Sequence, residues 1–268
     1  MWKTTYFFRG QALCTAASGE EICDTVDSGL TFMSWNTYNF RRKEWTHRRP
    51  YDNDHLTRSF EDQCNFILQH APDVFCLQEA TFTKDGPTGS YVDMNTFEQK
   101  FSEYKLFFHK YSRYNLYRVI GVRNTLNPIQ EDELTECATL TYSGKKIMVC
   151  SVHLPLSTVD KAISRLETHL QMSKSKDNVV IMGDFNYPEY EKSSNGESIN
   201  SVMQKYKFKN HPPQRPTGIK RGKIIDMIWW KGLTPLQLTP SHQDTRTHTV
   251  EKRFAYSDHL PIMQRLKL

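Results

Sequence analysis

No apolar run in the 268 residues approaches the ~20 that a membrane-spanning helix needs, so no transmembrane segment is encoded. The six cysteines, Cys14, Cys23, Cys64, Cys76, Cys137 and Cys150, lack any CxxC spacing. Cys76 and Cys150 sit inside apolar runs and read as small core residues of a reduced chain. Repeats, low-complexity tracts and domain-dividing linkers are also missing. The first residues, Met1 to Phe8, resemble the start of a signal peptide, and Ala16-Ala17-Ser18 could pass for a cleavage site. Arg9 and Gln11 nevertheless interrupt the apolar stretch. An intracellular protein, of cytoplasm or nucleus, is the expectation, and a monomer.

What is present fits one folded domain. Charged residues make up 24% and hydrophobic ones 38%, which excludes disorder, and the length allows a large α/β core. The net charge of +5 is uneven. Arg41, Arg42, Lys43, Arg48 and Arg49 crowd one stretch against a single Glu44, with Trp45 and His47 among them. Arginines can pair with phosphates while an aromatic ring stacks on bases or sugars. The same stretch also reads as an ordinary solvated loop.

Apolar runs predict the elements. Leu30 to Asn36, Asp73 to Glu79, Lys105 to His109, Arg118 to Val122, Ala138 to Tyr142, Ile147 to His153 and Ile224 to Trp230 read as strands. Ser143-Gly144 predicts a hairpin. Leu56, Phe60, Cys64 and Ile67 recur at helical spacing, with Asp54 as a candidate N-cap and Pro72 as a stop. Thr158 predicts the cap of a helix carrying Ala162, Leu166 and Leu170. Shorter helices are expected at Phe97 and Phe101, and around Ile199, Val202 and Met203. Residues 30–268 read as one domain, and residues 1–29 as an N-terminal extension with candidate strand material at Tyr6 to Phe8.

The chain is organised around Val179-Val180-Ile181-Met182-Gly183-Asp184-Phe185-Asn186, a buried strand running into two polar side chains. If the backbone stays extended, Asp184 and Asn186 point the same way. The tetrapeptide alone also reads as an ordinary Asp/Asn turn. Similar placements recur. Asn36, Glu79, His153, Asp258 and His259 lie at ends of apolar runs, and Asp226 interrupts one. A carboxylate in so apolar a strand needs a partner, a ligand or an opening. Titratable groups gathered at element ends mark a site.

Ser34-Trp35-Asn36, Leu77-Gln78-Glu79, Ser151-Val152-His153-Leu154, Gly183-Asp184-Phe185-Asn186, Ile225-Asp226-Met227-Ile228 and Ser257-Asp258-His259 resemble, in order, the motifs of the endonuclease/exonuclease/phosphatase superfamily. The resemblance implies a four-layer α/β sandwich of two mostly antiparallel sheets covered by helices, with a site at one edge. It implies a Mg²⁺-dependent phosphodiesterase, Mn²⁺ being an alternative, that acts on nucleic acid. A phospholipid or small phosphoester substrate is the alternative, and Trp229-Trp230 suit either an exposed apolar hairpin or a buried strand. Glu79 would be the central metal ligand, with Asn36 beside it and Asp258 sharing the metal or orienting His259. Asp184 would position or deprotonate the attacking water, Asn186 would donate to a phosphate oxygen, and His153 and His259 would flank the phosphorus as donors to its nonbridging oxygens or as acid and base. Asp226 would hold a histidine in the right tautomer and charge, His153 being the first choice. Arg41, Arg42, Trp45 and Arg48 would track the substrate. His153 departs from the tyrosine of apurinic endonucleases, Met227 from the Asp-Arg pair of inositol-polyphosphate 5-phosphatases, and Phe185 from the threonine of tyrosyl-DNA phosphodiesterases.

Overall fold

A computed structural model describes residues 29–40, 53–82, 93–111, 116–130, 136–213, 216–218, 222–237 and 257–268. Within them the chain order is β1 (Leu30–Asn36), α1 (Asn53–His70), β2 (Val74–Thr81), α2 (Met94–Lys100), β3 (Tyr104–Lys110), β4 (Leu116–Arg123), β5 (Ile129–Gln130), β6 (Cys137–Tyr142) and β7 (Lys145–His153). It continues α3 (Val159–Ser173), β8 (Val179–Asp184), α4 (Ile199–Lys205), β9 (Lys209–Asn210), β10 (Asp226–Lys231), β11 (Thr234–Leu236) and β12 (Ile262–Lys267).

These strands form two six-stranded sheets, ordered β11-β12-β1-β2-β4-β3 and β5-β6-β7-β8-β10-β9. Each sheet has one parallel pair near its centre, β1 with β2 and β7 with β8, and the remaining pairs are antiparallel. A parallel pair needs a crossover, and α1 and α3 supply them. Each crossover helix then covers the outer face of its own sheet. Phe60, Cys64 and Ile67 of α1 pack on Met33, Trp35 and Phe75, and Ala162, Leu166 and Leu170 of α3 pack on Cys150, Ile181 and Trp229. Between the sheets lies a third cluster, including Phe32, Cys76, Val149, Met182 and Trp230. The expected four layers are therefore present.

Strand alternation sends successive side chains to opposite layers. Trp229 meets the helices and Trp230 meets the other sheet, each 1% exposed. They suit a buried strand and form no exposed apolar hairpin.

The expected local signals are found with small shifts. Thr158 Oγ1 accepts from Lys161 N at 3.2 Å and caps α3. Ser143 and Gly144 both take positive φ, 50° and 74°, as a two-residue hairpin turn requires. The helix α1 already includes Asn53, so Asp54 lies inside it rather than capping it. One expectation fails. Cys150 is buried, but it is disulfide-bonded to Cys137, which lies directly opposite on β6 with the Cα atoms 4.1 Å apart. Cross-strand opposition, rather than a short sequence spacing, makes this pair.

Gly183 is where β8 presses hardest on its neighbour. Its φ is +154°, and a Cβ there would lie 1.9 Å from the Val152 carbonyl oxygen. Gly183→Ala should therefore separate β7 from β8 and cost about 4 kcal/mol, among the largest single-site losses. Urea unfolding would measure this. A loss under about 1 kcal/mol would show that the two strands part easily for a methyl group.

Candidate active site

Parallel pairing places strand C-termini side by side. His153 pairs with Asp184 across β7 and β8, and Asn36 pairs with Gln78 across β1 and β2. Antiparallel β10 begins at the same edge, with Asp226 opposite Asp184. The two sheets meet there through one amide. Asn36 Nδ2 donates to Glu79 Oε1 at 3.2 Å in its own sheet and to Asp184 Oδ2 at 3.0 Å in the other. An open cleft of about 680 Å³ lies over this junction, lined by Glu79, His153, Asp184, Asn186, Asp258 and His259. Asn36 and Asp226 are fully buried behind it.

Two of these residues depend on unusual backbone. The β2–β4 register shifts between Leu77 and Ala80, and Glu79 inside this bulge takes φ +54°. A left-handed glutamate is strained, and bulges redirect side chains beside sites. After Asp184 the chain does not stay extended. Asn186 takes φ +60°, and its backbone N–H donates to Asp184 Oδ1 at 2.7 Å. The Asp/Asn turn is thus real and belongs to the site as well. One N–H of the Asn186 side chain donates to the Leu154 carbonyl at 2.8 Å.

The C-terminal Ser-Asp-His segment is clamped onto β1. Ser257 Oγ donates to the Asn36 carbonyl at 2.6 Å and accepts from His259 N at 3.1 Å. Trp35 Nε1 donates to the His259 carbonyl at 3.1 Å. This brings the imidazole to Asp226, whose two oxygens lie 3.1 and 2.9 Å from Nδ1. Asp226 therefore holds His259 and not His153, because β10 delivers it to the histidine docked from the C-terminus. Thr217 Oγ1 accepts from Asp226 N at 2.9 Å and fixes the start of β10. Burial opposes the charge on His259, but Asp226, then Asp184 and Asp258, outweigh it and push its pKa up to about 10. Burial likewise pushes the Asp226 carboxyl up, while the imidazolium against it favours the ion pair. His259 Nε2 lies 3.6 Å from Asp184 Oδ2 and 4.0 Å from Asp258 Oδ1.

His153 has a different partner, Tyr111, whose hydroxyl oxygen lies 2.9 Å from Nδ1. Burial pushes the Tyr111 pKa up and keeps the hydroxyl in the phenol form. Its single O–H is then free to donate to Nδ1, which leaves the ring proton on Nε2. Nε2 lies 3.7 Å from both Glu79 Oε1 and Asp184 Oδ2.

A family model described as endonuclease-reverse transcriptase matches residues 147–263. Three solved structures share the fold. TDP2 of D. rerio complexed with a single strand DNA product is 16% identical at a TM-score of 0.61, covering 90% of this chain and 100% of that one. An endonuclease/exonuclease/phosphatase from Beutenbergia cavernae is 15% identical at 0.61, covering 89% and 71%. ANGEL2, a 2',3'-cyclic phosphatase, is 16% identical at 0.58, covering 89% and 95%. The chain has the α/β sandwich fold of the endonuclease/exonuclease/phosphatase proteins. No curated protein matches it in sequence.

The shared fold raises the question of a divalent cation, and the donor set fits one. Glu79 and Asp258 both offer hard carboxylate oxygens to the cleft. Asp184, Asp226 and His259 also bring one ligand atom each within 4.8 Å of one another. Both oxygens of Asp226 are turned to His259 Nδ1, however, so Asp226 is committed to the imidazole, with Asp184 an ion-pair partner 3.6 Å from Nε2. Asn36 Oδ1 accepts from Tyr38 N at 3.0 Å, which fixes the amide that serves both Glu79 and Asp184. Arg41, Arg42, Trp45 and Arg48, expected to contact substrate, lie outside the described residues, as do residues 1–28.

Sequence reading missed a second cluster beside the cleft in this superfamily fold. The buried Glu136 carboxylate accepts from Arg118 and Arg165 through Oε1, and lies 3.0 Å from His169 Nε2 through Oε2. The signal was available. Arg118 opens an apolar strand, and Arg165 and His169 are four apart on one face of α3. Burial opposes the Glu136 charge, but His169, Arg118 and Arg165 prevail and hold its pKa below the ordinary 4.5. Glu136→Gln should cost about 3 kcal/mol at neutral pH, as for other breaches of a buried ionic network. A lowered carboxylate pKa contributes stability that is complete above the unfolded value and is lost as pH falls through the folded one. The melting difference between wild type and variant should therefore narrow on acidification. A difference unchanged from neutral to strongly acid pH would remove Glu136 from that role.

Proposed function

We propose that the protein is a Mg²⁺-dependent phosphodiesterase that cleaves nucleic acid, with Mn²⁺ able to substitute. The carrying observation is the line Asp226–His259–Asp184, joined through Asn36 to Glu79 along one cleft. The name of the matching family model and the DNA product held by the D. rerio neighbour support this substrate class. A second reading, a small phosphoester substrate, is favoured by the cyclic phosphatase activity named for ANGEL2. The lipid form of that reading loses its main support, since Trp229 and Trp230 are buried.

Glu79 would hold the cation, with Asp258 across the cleft and Asn36 behind. When bound, the cation would supply Lewis-acid neutralisation of phosphate charge. The chain's own groups do the rest. Asp184 accepts a proton from the attacking water, its orientation fixed by Asn36 and by the Asn186 backbone N–H. His259 stays an imidazolium because Asp226 sits on Nδ1, and its Nε2–H stabilises charge on a nonbridging oxygen. His153, held by Tyr111 as the Nε2–H tautomer, stands on the other side, where its proton goes to the leaving oxygen as the P–O bond opposite the attacking water breaks. Asn186 has a second amide N–H for substrate. Arg41, Arg42, Trp45 and Arg48 are proposed to carry the polymer backbone and bases.

Turnover of labelled DNA, RNA and small phosphodiesters by purified protein tests the reading. Asp184→Ala and His259→Ala should each lower kcat by ~10³-fold or more, and the double variant should be within about tenfold of the worse single. Independent, multiplying losses would show that the two do not act on one phosphorus. Glu79→Gln should shift the Mg²⁺ concentration for half-maximal rate upward by about tenfold or more. An unchanged Mg²⁺ requirement at wild-type rate would place the cation elsewhere.

A further inference from the structure

The cleft is not uniform in charge. Glu79, Asp184 and Asp258 line it, with Asp226 behind them, and Arg118 and Arg165 line it too. Both guanidiniums converge on one oxygen of Glu136, Oε1, while His169 takes the other. Among the described residues one arginine balances Glu136, and the second leaves positive charge on the cleft lining. The two differ in exposure. Arg118 is 4% exposed and Arg165 is 44% exposed. Arg118 Nε is buried and has no hydrogen-bond acceptor among the described residues. An N–H left without an acceptor in a buried guanidinium is costly, and an anion entering the cleft would remove that cost. The guanidinium also lies over the Tyr111 ring, 4.6 Å from its centroid, and Tyr111 is the residue that orients His153. The positive wall is therefore one aromatic ring away from the proposed reaction centre.

We infer that Arg165, with the more deeply buried Arg118, forms an anion subsite for the phosphate next to the one cleaved. This rests on the phosphodiesterase reading above and narrows it to substrates that carry a second phosphate. Glu136 is then a positioning residue, holding two guanidiniums that would otherwise repel each other. Guanidinium suits the task because it grips phosphate with paired, charge-assisted hydrogen bonds.

The test compares kcat/KM on a plain dinucleotide with that on the same dinucleotide bearing a 5′-phosphate and on the matching trinucleotide, in DNA and RNA series. The phosphorylated dinucleotide reports a terminal phosphate monoester, and the trinucleotide reports an internal diester. Wild type should prefer one or both flanked substrates. In Arg165→Gln that preference should fall about tenfold, with the loss in KM rather than kcat. Arg165→Lys keeps the charge and the pair with Glu136, and should recover part of it. Thermal melting of each variant checks folding, and the lysine variant serves if the glutamine one unfolds. A wild type without preference, or a preference changed less than about twofold in both variants, overturns the subsite and leaves the phosphodiesterase reading standing. If wild type hydrolyses bis(4-nitrophenyl) phosphate but none of the oligonucleotides, the nucleic-acid reading falls and the subsite falls with it.

Discussion

The Asn36 side chain is the contact on which the arrangement turns. Its amide donates to a carboxylate on each sheet, and its carbonyl oxygen is held by the Tyr38 backbone. Two carboxylates brought this close repel each other, and a neutral donor between them offers each a hydrogen bond. The geometry requires the ends of β1 and β8 to sit face to face across the sandwich. That is met because each sheet carries its single parallel pair near the middle. Deeper in the interface, Gln78 Nε2 repeats the motif, donating to Ser34 Oγ of one sheet and Ser151 Oγ of the other at 3.3 Å each. Polar pairs of this kind fix how the sheets align, because a slide would leave their donors unmatched in an apolar layer.

Much of the architecture was legible in the sequence because strand ends announced themselves. Leu30 to Asn36 was read with its final bounds, and the apolar runs ending in Glu79, His153 and Asp184 marked one edge. The partner of Asp226 was not legible. Two histidines qualified, and the choice depends on β10 lying beside β8 while the C-terminal segment docks on Trp35. Tyr111 and the Glu136 cluster escaped for a related reason. They come from β4, α3 and the segments flanking β3 and β6, which meet only when the sandwich closes. The Cys137–Cys150 bond was missed because a separation of 13 says nothing about which residues oppose each other in a hairpin.

Position relative to the cleft sorts the polar residues by task. Asn36, Gln78, Asp226 and Ser257 are 0% exposed and hold other groups in place, while Glu79, Asp184, Asp258 and both histidines border the cleft. The local irregularities fall on the bordering group. Tyr38, Glu79 and Asn186 take left-handed backbone at the cleft, and Gly183 tolerates a neighbour that no other residue could. Regular strands would have sent these side chains into the core, so the departures from regularity are what open the site.

The pairing of β1 with β12 has a consequence for biosynthesis. Leu30 lies opposite Leu266, and the indole that anchors His259 sits 224 residues before it in the chain. Domains assemble from the N-terminus as the chain emerges, but here the first strand waits for the last. Until β12 arrives, β1 has a bare edge, His259 has no perch, and Asp226 faces no imidazole. A chain that has not yet made β12 is therefore chemically incomplete, whatever else of it has folded. Products truncated before β12 would share that defect, and the cleft would not form on them.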